Sequence, residues 1–170
     1  MNRINALVLA LLSTCVLAEE PETTLVKLGD PAPAFTVTTT DGSEISTEKF
    51  KGKVILVNFF ATWCGPCLAE LPHLETDVWQ KFKDRGLTLV VIGREHNTDE
   101  LVKFKTEKKL SMPFGADPKR EVYAKYATKY IPRNVLIGAD GKVKFQSVGF
   151  NQTEFAEMVK TIEVELGNVK

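Results

Sequence analysis

The sequence predicts an α/β domain with a central mixed β-sheet, helices on both faces and an N-terminal β-hairpin. Three observations carry this. Val54–Phe60 and Leu87–Ile92 are near-continuous apolar runs of strand length, the pattern of strands buried on both faces. The segments that follow them place apolar residues at helical spacing. Asp41-Gly42 and Asp140-Gly141 each separate two short β-prone runs and read as hairpin turns.

Phe35–Thr39 is rich in β-formers, and a short strand through Ile45 returns from the Asp41-Gly42 turn. Ser46, Glu48 and Lys49 suggest a short helical turn. After the Val54–Phe60 strand, Leu68, Leu71, Leu74, Val78 and Phe82 predict one helix from Pro66 to Asp84, kinked at Pro72 and ended by Gly86. Asn97 and Glu100 form a capping-box pattern for a helix running to about Lys109. A short helix is expected over Arg120–Tyr126. Val135–Ile137 and Val143–Phe145 read as an antiparallel pair. Asn151 and Glu154 begin a last helix with Phe155, Met158, Val159, Ile162 and Leu166 on one face. The predicted order is hairpin, β, α, β, α, β, β, α.

The chain has 170 residues, 44% apolar and 26% charged, with 22 basic and 22 acidic side chains. That fits one packed domain and excludes wholesale disorder. Zero net charge argues against nucleic acid, whose phosphates demand a basic surplus. Three cysteines are too few for a disulfide-stapled scaffold. Residues 1–18 read as an export signal: Arg3, an apolar stretch from Ile4 to Leu17, and small residues ending at Ala18. The stretch is too short for a permanent membrane span. Leu12-Ser13-Thr14-Cys15 also resembles a lipoprotein box, so the signal ends after Ala18 or before a lipid-anchored Cys15. Either outcome removes Cys15 from thiol chemistry and predicts a periplasmic or other extracytoplasmic protein, soluble or anchored. Residues 19–27 form a lead-in and 28–170 the domain.

Trp63-Cys64-Gly65-Pro66-Cys67 lies where a buried strand hands over to a helix. The unpaired N–H groups and the dipole at the helix start favour an anion at Cys64 and predict a lowered thiol pKa. Cys67 lies one turn on, near enough to close a disulfide, so the pair is predicted to cycle between dithiol and disulfide. Gly65 and Pro66 fix the short connection, and a proline at the first helical position loses no hydrogen bond. His73 reads as a helix-surface residue and His96 as a loop residue. Their spacing does not fit a Cys₂His₂ metal site, and no metal is expected.

WCGPC following VILVNFFAT resembles the thioredoxin fold. The chain is similar, more narrowly, to the exported TlpA/ResA-like thiol–disulfide oxidoreductases over roughly residues 28–166. Lys27–Phe35, Asp41-Gly42, the CxxCxxExP pattern from Cys64 to Pro72, Ile131-Pro132 and Asp140-Gly141 carry the likeness in order. The resemblance implies Cys64 as nucleophile, Cys67 as resolving thiol, and Glu70 as a nearby acid with a raised pKa that moves protons. It places a cis proline at Pro132, with Ile131 presenting its backbone to substrate. Trp63 is read as flanking the sulfur and shaping the partner surface, with core packing as the alternative. Asn58 stands where thioredoxins proper carry a buried aspartate, which shifts the proton role toward Glu70. The expected partners are disulfide-containing proteins and a membrane thiol electron donor. Cytochrome c maturation is one setting that the resemblance leaves open. The protein is expected to be a monomer, with no cofactor beyond the Cys64–Cys67 pair. Peroxiredoxin-like peroxidase chemistry is the nearest alternative, but Val57 and Ala61 stand where that family carries proline and threonine. A copper or other metal chaperone and a non-catalytic docking domain are the remaining alternatives.

Overall fold

In the computed structural model, which describes residues 23–169, β3 (Val54–Phe60) is the middle of the molecule and is buried at every position. It is the central strand of a five-stranded mixed sheet ordered β5-β4-β3-β6-β7. β4 (Leu87–Arg94) and β5 (Phe114–Asp117) run parallel to it, β6 (Arg133–Ile137) runs antiparallel to it, and β7 (Val143–Val148) pairs antiparallel with β6. A separate hairpin of β1 (Thr36–Thr38) and β2 (Glu44–Ser46) precedes the sheet. The expected signal, Cys15 and residues 19–22 lie outside the described residues.

Alternation along β3 divides the core in two. Val54, Leu56 and Phe60 face one layer, with Leu71, Leu74, Val78, Leu101, Met158 and Ile162. The elements supplying that layer are the helical run from Gly65, α3 (Thr98–Lys108) and α5 (Gln152–Gly167). Ile55, Val57 and Phe59 face the other layer, covered by the hairpin and by α4 (Tyr123–Tyr126). Burying each large side chain contributes about 1.5–3 kcal/mol, so these two layers carry most of the stability.

Several elements depart from the sequence expectation. The helix predicted as one piece is α1 (Gly65–His73), then π-helical over Leu74–Trp79, then α2 (Gln80–Phe82) and a 3₁₀ turn over Lys83–Arg85. Pro72 has no N–H for the Leu68 carbonyl, and the hydrogen-bond register widens just beyond it. Thr76 Oγ1 donates to the Pro72 carbonyl at 3.0 Å. Gly86, at φ 96°, then ends the run as expected. The turn at Ser46 forms without becoming a helix: Ser46 Oγ accepts the Lys49 N–H at 3.1 Å. Strand β5 has no counterpart in the sequence reading, because Phe-Gly-Ala-Asp has one β-former and no apolar alternation. Parallel pairing to β4 holds it, and Thr40 N–H donates to the Phe114 carbonyl at 2.8 Å. Residues 23–27, set apart in sequence, pack onto the body: Leu25 N–H donates to Tyr126 O at 2.9 Å and Val26 is buried.

Hairpin and sheet meet at Gly115, where an added Cβ would lie 2.9 Å from Val37 Cγ2 and 3.1 Å from Val37 Cβ. Gly115→Ala is expected to destabilise the fold by about 1–3 kcal/mol in urea unfolding, since valine is stiff at χ1 and cannot swing away. A loss below about 0.5 kcal/mol would show that this contact is loose.

Candidate active site

Strand β3 ends at Phe60, and Ala61-Thr62-Trp63 carries the chain to Cys64, the N-cap of α1. Cys64 and Cys67 form a disulfide with Cα atoms 5.3 Å apart. The Cys67 N–H donates to Cys64 Sγ at 3.3 Å, so a free donor of the first helical turn points at this sulfur. Cys67 is fully buried, while Cys64 keeps 6% of its surface open. Gly65 and Pro66 are exposed beside it.

Antiparallel pairing places Asn58 opposite Asn134, on one face of the sheet. Asn58 Nδ2 donates to Asn134 Oδ1 and to Glu70 Oε2, both at 2.9 Å. Asn134 Nδ2 donates to Glu70 Oε1 at 2.6 Å. Glu70 projects from α1 one turn beyond Cys67 and is 2% exposed. Burial pushes its carboxyl up to about 7 from 4.5, against the two amide donors and His73, which pull it down. Asn134 is absent from the sequence reading. Only the register of β3 on β6 brings it to Glu70.

The Ile131–Pro132 bond is cis. The Ile131 carbonyl oxygen lies 3.8 Å from Cys64 Sγ, a close approach without a proton, since a disulfide sulfur has none to donate. Trp63 is 63% exposed, which removes core packing as its role. The Arg94 guanidinium lies 5.5 Å from the Trp63 ring centroid and 5.1 Å from that of Tyr123, supporting the indole from behind. Tyr130, also 61% exposed, adjoins Ile131.

The two histidines part company. His73 is half exposed and lies against Phe150 and Phe155. His96 lies in the loop as expected and is buried there: its Nε2 accepts the Thr62 N–H at 3.1 Å, and its Nδ1 faces Glu100 Oε2 at 3.2 Å. A nitrogen that accepts from Thr62 leaves the proton on Nδ1, donated to Glu100. The loop ahead of Cys64 therefore rests on α3 through this ring. Among the described residues no three His, Cys, Asp or Glu side chains gather as a metal site would need.

With this geometry established, comparison with known proteins gives a consistent picture. Residues 27–163 match the Redoxin family. The chain is similar to thiol-disulfide oxidoreductase ResA of Bacillus thuringiensis (strain Al Hakam), 30% identical over 132 residues, 78% of this chain and 76% of that protein. Among solved structures, one from Bacteroides thetaiotaomicron, described as a candidate protein disulfide isomerase, superposes with TM-score 0.82 and 36% identity, covering 86% of this chain and 94% of that one. A candidate thiol:disulfide interchange protein DsbE of Chlorobium tepidum gives TM-score 0.72 and 28% identity over 84% of this chain and 99% of that one.

Glu70 makes stability depend on pH. Its folded value lies above the unfolded one, so the native state holds the extra proton. The resulting stabilisation is full below about pH 4.5 and is lost as pH rises through about 7. Glu70→Gln removes the titration. In urea unfolding of the oxidised protein, the stability of wild type relative to this variant should fall by about 3 kcal/mol between about pH 4.5 and about pH 8. A difference that stays flat would place the carboxyl in water.

Proposed function

This chain belongs to the Redoxin family and is a ResA-like thiol–disulfide oxidoreductase of the thioredoxin superfamily; from that premise we propose that it is exported and reduces disulfides in substrate proteins at Cys64 and Cys67. The observation that carries the assignment of roles is the asymmetry of the pair. Cys64 caps α1 and keeps 6% of its surface at the solvent, whereas Cys67 is fully buried. A protein disulfide can reach only the first. The helix N-terminus favours the Cys64 thiolate, which is the attacking form.

Cys64 thiolate attacks one sulfur of the substrate disulfide. A mixed disulfide forms, and the other substrate sulfur leaves as a thiolate that takes up a proton. Cys67 then loses its proton and attacks Cys64 Sγ, releasing the second substrate thiol and closing the Cys64–Cys67 bond. Two electrons pass to the substrate. Glu70, held near 7 by burial one turn beyond Cys67, is suited to taking the Cys67 proton and returning it when the enzyme is re-reduced. Trp63, Gly65 and Pro66 present the surface around Cys64. The Ile131 backbone, beside Pro132, offers strand-like pairing to an extended substrate segment.

Export rests on residues 1–18, with cleavage after Ala18 or lipidation at Cys15. Among the described residues no helix is long and apolar enough to cross a membrane. An exported reductant needs recharging, and a membrane thiol carrier is the natural donor. Cytochrome c maturation is one setting for such a reductant.

Cys67→Ser should trap substrates as stable mixed disulfides at Cys64, seen as adducts that disappear on adding dithiothreitol. Cys64→Ser should trap none. Adducts forming equally on both variants would overturn the assigned roles. The reduction potential decides direction: a value of about −270 mV fits a reductant, one of about −120 mV an oxidant.

A further inference from the structure

Arg133 opens β6 immediately after Pro132 and is 2% exposed. Burying a guanidinium is costly unless its donors are matched. Here every hydrogen-bond partner is a neutral oxygen. Nε donates to the Tyr130 and Lys129 carbonyls, both at 3.0 Å. Nη2 donates to the Lys129 carbonyl at 2.7 Å, to the Thr23 carbonyl at 2.9 Å and to Thr23 Oγ1 at 3.2 Å. Nη1 donates to Thr24 Oγ1 at 2.7 Å. One side chain thus ties the loop before the cis proline to the segment at Thr23-Thr24.

Both halves need tying. Tyr130 sits at φ 68°, a left-handed conformation that a side chain with a Cβ disfavours. Its carbonyl is held by two donors, Arg133 Nε and the Tyr123 hydroxyl at 2.9 Å. The next residue aims its carbonyl at Cys64 Sγ, 3.8 Å away. On the other half, Thr24 bridges Ala127, and the Thr23 carbonyl accepts from Thr128 N–H at 3.0 Å as well as from Arg133. Among the described residues, no hydrogen bond other than those of the guanidinium links Thr23-Thr24 to Lys129-Tyr130.

We propose that Arg133 is a positioning residue for protein substrates: it clamps Lys129–Ile131 and Thr23-Thr24 into one unit, holding the Ile131 backbone in register with Cys64. This rests on the disulfide-exchange reading above. An extended peptide bearing a disulfide needs that backbone edge. A small disulfide meets only the sulfur and does not. Lysine cannot replace the fork, because its donors radiate from one point.

The test compares wild type, Arg133→Lys, Thr24→Val and the double variant in the full chain, with insulin and glutathione disulfide as substrates and dithiothreitol as the reductant that returns Cys64–Cys67 to the dithiol, its uncatalysed rate subtracted. Arg133→Lys should raise KM for insulin about tenfold, with kcat and the glutathione disulfide rate changed less than about twofold. Thr24→Val should raise the insulin KM about threefold. The double variant should be no worse than Arg133→Lys, since Thr24 acts through the guanidinium. Thr24→Val keeps the buried cation and carries the test if Arg133→Lys fails to fold. An unchanged insulin KM in Thr24→Val, equal losses on both substrates, or additive effects in the double variant overturn the clamp. A wild-type chain inert toward both substrates overturns the exchange reading itself, and the clamp with it.

Discussion

Five residue pairs between β3 and β6, from Ile55↔Ile137 to Phe59↔Arg133, decide where the groups around the disulfide lie. β3 runs directly into the loop that ends at Cys64. β6 runs the opposite way and is entered from Ile131-Pro132. Antiparallel pairing therefore brings the proline loop beside the helix start, and the Ile131 carbonyl against Cys64 Sγ. The same register puts Asn134 opposite Asn58, where the two amides grip Glu70. A slip of one residue would send Asn58 or Asn134 to the other face of the sheet and leave the carboxyl with one amide donor instead of two. Because both faces of β3 are buried, such a slip would also misplace every apolar side chain on the strand.

The carboxyl site is a balance of opposing effects. Burial disfavours the charged form, and two amide donors favour it. Burial is the larger, and the result near 7 lies well above an ordinary carboxyl. Had Asn58 been an aspartate, a second buried acid would compete for the same proton. An asparagine supplies the donor without the charge, so the cluster of Asn58, Asn134 and Glu70 holds a single carboxyl.

Much of the site could be read directly from the sequence. Trp63–Cys67 at a strand-to-helix junction and the apolar β3 and β4 follow from local pattern, while the place of Glu70 beside the dithiol came from the family resemblance. What escaped reading depends on distant partners. His96 looks like a loop residue before a cap, but it lies under Thr62 because β4 and β3 end side by side. β5 forms because β4 offers an edge, although Phe114–Asp117 has little preference for a strand. The π-helical stretch after His73 reflects a choice among helical registers once Pro72 withdraws its N–H. The expected kink did not reveal which register would follow.

The sequence by itself determined the chemistry: a CxxC motif at a helix start, an acid one turn on, an Ile-Pro turn, and a chain with too little positive charge for nucleic acid. These follow from residue identity and short spacing, where backbone geometry leaves few options. Only the tertiary structure decided which polar groups serve that chemistry from afar. Asn134, His96 and Arg133 lie far along the chain from the partners they bind, and each is recognisable only once sheet register and loop packing have brought donor to acceptor. Hydrogen bonds between distant residues leave no periodicity in a sequence, because they depend on where two backbones meet and not on how either residue sits among its neighbours.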